Sequence, residues 1–210
     1  MSKYLTEFIG TMFLVLTICL TVLGQSPMAP LAIGCSLMIM VYMGGHVSGG
    51  HYNPAVSLGA MLRGKLAASE LVPYMVAQLL GAVVASLLGY LIMGQTFAPA
   101  PSPTASPVAA LLVETLFTFA LVLVVLNSAC SEKTKGNSFY GLAIGFTIVV
   151  AAFAGGGVSG GAFNPAVGLG PTLVHGLMGG GSFASVWLYL VGPFLGGALA
   201  AAVFKVQEQG

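Results

Sequence analysis

Residues 31–62 read LAIGCSLMIMVYMGGHVSGGHYNPAVSLGAML, and residues 142–173 read LAIGFTIVVAAFAGGGVSGGAFNPAVGLGPTL. The two stretches are identical at 17 of 32 positions. Both contain Val-Ser-Gly-Gly, one variable residue, an aromatic residue, and then Asn-Pro-Ala-Val. Chance does not produce such agreement, so the chain is built from an internal repeat.

Six long apolar stretches run along the chain, three in each half. The match between the halves extends beyond the quoted residues, because Glu7 in TEFIGT corresponds to Glu114 in VETLFT and Tyr74 corresponds to Tyr189. The stretches lie approximately at 4–24, 29–48, 70–93, 107–128, 138–157 and 184–204. A unit of three spans crosses a membrane an odd number of times, so we expect the second copy to be inverted relative to the first.

Composition places the chain in a membrane. Only 5% of its 210 residues are charged and 57% are hydrophobic, whereas soluble domains carry about 25% charged residues. A membrane helix takes roughly 20 apolar residues, which leaves room for six spans and no further soluble domain. We therefore expect one all-α membrane domain over 1–210, with inverted repeats at approximately 3–93 and 107–206. The linker at 94–106 overlaps the uncharged stretch QTFAPAPSPTASP at 95–107, which is expected to be solvated and partly polyproline-like.

The composition argues against several functional classes. A net charge of +1 offers no surface that would neutralise the phosphates of a nucleic acid. The chain has no Asp, and its three Cys residues are widely separated, so His46 and His51 lack the further ligands that a metal site needs. No nucleophile with an adjacent base is evident. We expect no metal, no cofactor and no enzyme activity.

The basic residues predict the orientation. With the N-terminus inside and six spans, every Lys and Arg falls at a cytoplasmic end, as the positive-inside rule requires. The residues are Lys3, Arg63, Lys65, Lys133, Lys135 and Lys205. We expect a multi-pass protein of the plasma or inner membrane with both termini in the cytoplasm.

The repeated Asn-Pro-Ala triplets predict two short helices. Asn is a preferred N-cap and Pro is favoured at the first helical position, so Asn53 and Asn164 should each begin a helix. About ten largely apolar residues follow each triplet, too few to cross roughly 30 Å of hydrocarbon. In an inverted repeat these half-helices enter from opposite faces, and their positive N-terminal ends can meet near the midplane. Such a meeting point should repel cations and let the two Asn amides bind a neutral oxygen.

With these features the sequence resembles the major intrinsic protein family of aquaporins and aquaglyceroporins. The resemblance covers almost the whole chain and implies six helices and two half-helices around one pore per subunit, in a homotetramer within the lipid bilayer. It places at the pore the triplets Asn53, Pro54, Ala55 and Asn164, Pro165, Ala166. We expect Glu7 and Glu114 to support the two loops by accepting hydrogen bonds from buried backbone, rather than to relay protons.

The resemblance also implies a selectivity filter, and there the chain departs from the family. The matching positions are Ile33, Ala152, Gly161 and Val167, and the last is generally Arg in the family. Without that charged donor, the filter is expected to be wide and apolar. We therefore expect passive conduction of water and small uncharged solutes, such as glycerol-like polyols and undissociated metalloid acids, for example arsenous acid.

Two alternatives remain open from the sequence. A strict water channel would keep the fold and exclude glycerol. A secondary transporter driven by ions or protons would also use inverted repeats and broken helices, and it would need a titratable group near the midplane, for which the sequence offers Glu7 and Glu114.

Overall fold

Six long helices form the body of the protein. The computed structural model describes residues 1–178 and 180–209, and within them every regular element is helical. Each long helix is apolar and long enough to cross a membrane, which confirms the predicted six-span fold. The spanning helices are α1 Ser2–Leu23, α2 Ala29–Ser48, α4 Ala68–Met93, α5 Pro107–Val125, α6 Tyr140–Ser159 and α8 Val186–Gln209.

Two shorter helices follow the Asn-Pro-Ala triplets. Helix α3 covers Pro54–Leu62 and α7 covers Pro165–Leu177. At 1.5 Å of rise per residue, their 9 and 13 residues extend about 14 and 20 Å, less than the roughly 30 Å of a membrane core. Both are therefore half-helices, although α7 is longer than its predicted ten residues.

Two ion pairs join helix ends on one face of the molecule. Lys3 pairs with Glu70 at 2.8 Å, which joins the start of α1 to the start of α4. Arg63, after α3, lies 3.9 Å from Glu208 near the end of α8. We call this side, where α1 begins and α8 ends, the terminal face. The opposite side, which carries the linker 94–106, is the linker face.

The halves pack through equivalent helix pairs. Helix α1 packs on α4 as α5 packs on α8, and α2 meets α6 between the halves. At this crossing a Cβ built on Gly145 would lie 2.5 Å from the carbonyl oxygen of Gly34, and the reverse distance is 2.6 Å. The two backbones approach so closely that only glycine fits at either position.

Large apolar side chains cover the outside of this bundle. Four of these side chains are each more than half exposed: Val72, Leu91, Val150 and Phe153. Such an apolar exterior suits lipid, and the protein is an integral, multi-pass membrane protein.

Candidate functional site

The two half-helices meet end to end in the middle of the molecule. The Asn53 side-chain amide donates to the Phe163 carbonyl at 2.9 Å. Reciprocally, the Asn164 amide donates to the Tyr52 carbonyl, also at 2.9 Å. Each Asn thus ties its own half-helix to the loop that precedes the other half-helix. Because an amide nitrogen carries two hydrogens, each keeps one further N–H for another acceptor.

Each Asn also caps its own helix. The Asn53 side-chain oxygen accepts from the Ala55 amide at 2.8 Å, and that of Asn164 accepts from the Ala166 amide at 2.9 Å. Pro54 and Pro165 occupy the first helical positions, where the missing N–H of proline is not needed. The triplets therefore start both helices by the same local chemistry.

The loops before the triplets have unusual backbone conformations. Gly49 and Gly50 have φ of 92° and 64°, and Gly160 and Gly161 have φ of 87° and 66°. The next aromatic residues, Tyr52 and Phe163, also have positive φ, near 50°, which is disfavoured for a residue with a side chain. Strained backbone of this kind persists only where the surroundings hold it firmly.

In the first half, the carboxylate of Glu7 holds the loop. Glu7 is fully buried. It accepts from the Ser48 hydroxyl at 2.7 Å, the His51 amide at 2.9 Å and the Tyr52 amide at 2.7 Å. The Gln78 side chain donates a fourth bond at 2.8 Å.

Glu114 holds the second loop in the same way. It is also fully buried, and it accepts from the Ser159 hydroxyl at 2.7 Å, the Ala162 amide at 3.0 Å and the Phe163 amide at 2.6 Å. Apart from the bond from Gln78 to Glu7, the bonds of both carboxylates come from residues that precede the Asn-Pro-Ala triplets. Both acids therefore bond the backbone of these loops.

One polar network occurs in the first half alone, and sequence reasoning missed it. Gln78 donates to Ser57 at 2.9 Å, and Ser57 lies 3.0 Å from Nδ1 of His51. In the second half Ala162, Gly168 and Pro193 occupy the matching positions and cannot make these bonds. The signal was a lone Gln within an apolar span, since such a residue needs a buried partner.

A cavity of about 430 Å³ passes between the helices beside the two Asn residues. Its wall includes Val22 and Pro30 near the linker face and Val125 and Ile144 near the terminal face, so the cavity extends through most of the span. The positions expected to form the filter all contribute to this wall, together with both capping Asn residues: Ile33, Ala152, Gly161, Val167, Asn53 and Asn164.

The wall of the cavity is mostly apolar. Its side chains are mainly aliphatic or aromatic, and the two Asn amides stand near its middle. Among the described residues of the wall, His51 and Tyr52 are the titratable ones, and neither Glu7 nor Glu114 contributes. No group of His, Cys, Asp and Glu able to hold a metal occurs in the part of the chain that the structure describes. Such a wall can pass a neutral molecule that accepts hydrogen bonds at its centre.

The expectation of a solvated linker is wrong for Pro99, which is buried. Residues 97–100 all belong to the cavity wall, and Ala100 among them is exposed. They read Phe-Ala-Pro-Ala, so the segment has no charge to keep it in water and gains by covering the apolar mouth of the cavity. Its composition alone could not reveal this surface.

Comparison with known proteins bears on the whole chain. The family model "Major intrinsic protein" matches residues 1–204. Aquaporin NIP1-1 of Zea mays is 36% identical over 215 residues, which cover 98% of this chain and 74% of the relative. Glycerol uptake facilitator protein-like 6 of Lactiplantibacillus plantarum is 34% identical over 219 residues, which cover 98% of each chain.

A solved structure has the same fold. The aquaglyceroporin of Plasmodium falciparum superimposes with a TM-score of 0.87, over 97% of this chain and 95% of that one. The two sequences are 23% identical, so the comparison concerns architecture.

Proposed function

Since the chain belongs to the major intrinsic protein family, whose members are channels and not enzymes, we propose that it conducts water and small uncharged solutes passively through a wide apolar filter. The observation that carries this proposal is the cavity through the span, with Asn53 and Asn164 at its middle. The names of two relatives, an aquaporin and a glycerol uptake facilitator-like protein, agree with water and glycerol as solutes.

The proposed filter consists of Ile33, Ala152, Gly161 and Val167. All four line the cavity, and none carries a charge or a side-chain hydrogen-bond donor. Gly156, one turn from Ala152, also lines the cavity, and a Cβ there would meet no atom within 4 Å. A wall this open and apolar suits the carbon backbone of glycerol, and undissociated metalloid acids such as arsenous acid are further candidate solutes.

At the centre, the Asn-Pro-Ala triplets would orient the solute. Each Asn has one N–H left after its bond to the opposite loop, so a hydroxyl oxygen of the solute can accept from it. The positive ends of α3 and α7 meet at the same place and disfavour cations. Passage of neutral hydroxylated molecules follows from these two features.

The proposal extends to organisation and location. We propose that the chain is one channel domain over 1–210, with repeats at about 3–93 and 107–206 and a linker at 94–106. Its apolar exterior suits a homotetramer in the lipid bilayer. We place it in the plasma or inner membrane with both termini cytoplasmic, because every Lys and Arg lies toward the terminal face.

A coupled transporter is the less favoured alternative. Coupling needs an ionisable group exposed to the permeation path. Glu7 and Glu114 stand outside the cavity wall and hold the loops, and His51, which does line the wall, lies 3.0 Å from the Ser57 hydroxyl through its Nδ1. A strict water channel differs only in filter width, and the small side chains at three of the four filter positions argue against it.

Uptake of labelled glycerol into proteoliposomes separates these alternatives. With identical ions on both sides, we expect glycerol uptake to be faster than into empty liposomes. Its initial rate should rise linearly with glycerol concentration. An imposed proton or sodium gradient should leave that rate unchanged. Saturation together with gradient-driven accumulation, lost in Glu114→Gln, would establish a carrier and refute the channel.

A further inference from the structure

The linker connects the two halves and also contributes to the wall of the permeation path. Residues 97–100 lie in the same cavity wall as the proposed filter residues. Resting on the function proposed above, we propose that Phe97 is an additional filter residue and sets the upper limit on solute size. The segment 96–102 that carries it is called the linker strap below.

Both ends of the linker strap are fastened to the linker face. The Thr96 hydroxyl lies 2.8 Å from Nδ1 of His175, in the last turn of α7. The Ser102 amide donates to the Val158 carbonyl near the end of α6, at 3.0 Å. Few residues separate these anchors, and Pro99 between them has a fixed φ, so the strap has little freedom to leave the mouth.

The middle of the linker strap presses on the loop that carries the filter. A Cβ built on Gly160 would lie 2.5 Å from the Ala100 carbonyl oxygen and 2.9 Å from its amide nitrogen. Gly160 precedes the filter residue Gly161, so the strap backbone lies against the filter. A displacement of the strap would therefore change the width of the path.

Phe97 is the one bulky side chain among residues 97–100. Phe97 lines the main cavity, and it also lines a second cavity of about 10 Å³ with Cys19, Leu23 and Val174. A space of that volume holds at most one water, so the ring cannot withdraw into it. The aromatic side chain is held at the mouth as a wall.

The ring of Phe97 would let the filter select by solute size although the four filter side chains are not large. None of the four proposed filter side chains is aromatic, so the ring of Phe97 is bulkier than any of them. Its removal should widen the mouth most for solutes of large cross-section and least for water.

The test compares two polyols in proteoliposomes. Uptake of xylitol, with five carbons, is divided by uptake of glycerol, so that differences in protein amount cancel. For Phe97→Ala we expect this ratio to rise roughly tenfold, the scale at which small volume changes in an apolar site alter discrimination. Phe97→Leu should give a smaller rise, and Thr96→Val, which frees one anchor, should also raise the ratio.

Phe153→Ala is the matched control. Phe153 adjoins Ala152 on α6, is 57% exposed and is absent from the cavity wall, so its loss should leave the ratio unchanged. If the wild type passes only water, Phe97→Ala should gain glycerol uptake. An unchanged ratio in Phe97→Ala, in protein that conducts glycerol, would overturn this inference and leave the proposed function intact. Absence of both water and glycerol flux in the wild type would refute both.

Discussion

At the scale of single residues, Glu7 and Glu114 decide the loop conformations. In the wild type, both carboxylate oxygens of Glu114 accept hydrogen bonds. In Glu114→Gln, one of these oxygens is replaced by an NH₂ group that cannot accept, so a buried backbone N–H loses its partner. Each such loss costs about 1–3 kcal/mol of folding free energy. We expect a lower unfolding temperature in detergent, measured by circular dichroism. Glu7→Gln should be affected at least as strongly, because Glu7 accepts four bonds rather than three.

Glu132→Gln is the control for that prediction. Glu132 pairs with Lys135 at 3.2 Å, but both side chains are about three-quarters exposed, and exposed pairs contribute little. Its unfolding temperature should match the wild type. An equally stable Glu114→Gln protein would show that the loop does not depend on the carboxylate.

The sequence alone identified the residues that occur twice. The capping Asn residues, the prolines after them and both buried acids stand in matching positions of the two halves, and duplication exposed them. Gln78 and Phe97 have no such counterpart in their roles. Their places depend on segments that are distant in the chain: Gln78 donates a hydrogen bond to Glu7, and Phe97 lines a small cavity together with Cys19. The local sequence pattern does not predict either arrangement.

At the scale of elements, α2 and α6 depend on their glycine contact. Gly145→Ala would place a methyl group 2.5 Å from the Gly34 carbonyl oxygen, so the helices must separate. We expect a lower yield of folded protein and a lower unfolding temperature, as judged by size-exclusion chromatography and circular dichroism.

Gly157→Ala is the control, because it makes the same change on α6 away from the contact with Gly34. A Cβ at Gly157 would meet no atom within 4 Å, and alanine favours a helix over glycine by about 1 kcal/mol. This variant should be as stable as the wild type or more so. If the unfolding temperature fell equally in Gly145→Ala and Gly157→Ala, the close crossing of α2 and α6 would not be what limits stability.

The half-helices α3 and α7 are expected to exclude protons without a filter arginine. Their N-terminal ends each carry roughly half a positive charge and meet at Asn53 and Asn164. Acid pulses on liposomes that contain a pH-sensitive dye should therefore acidify wild-type vesicles no faster than empty ones.

Asn164→Asp should weaken this barrier. The carboxylate can still cap α7, but it adds a negative charge at the meeting point, and proton influx should rise. Asn127→Asp is the control, since Asn127 bonds Gln207 and Leu123 away from the cavity. Fast proton influx through the wild type would contradict the barrier.

At the scale of the whole molecule, hydropathy and duplication were enough to predict the architecture. Spans of roughly 20 apolar residues and an odd number of spans per repeat dictate an inverted arrangement, and the helices follow it. The linker was the exception. An uncharged Pro- and Ala-rich segment can lie in water or on an apolar surface, and only the assembled helices provide that surface.

A wide, apolar filter should pass glycerol, and stopped-flow light scattering on proteoliposomes measures that passage. Wild-type vesicles should shrink rapidly in sucrose, and in glycerol they should shrink and then quickly reswell. Val167→Arg should keep the water response and suppress reswelling, while Val167→Thr, of similar size and uncharged, should reswell like the wild type. Fast water flux with no glycerol reswelling in the wild type would contradict the wide filter and leave a strict water channel.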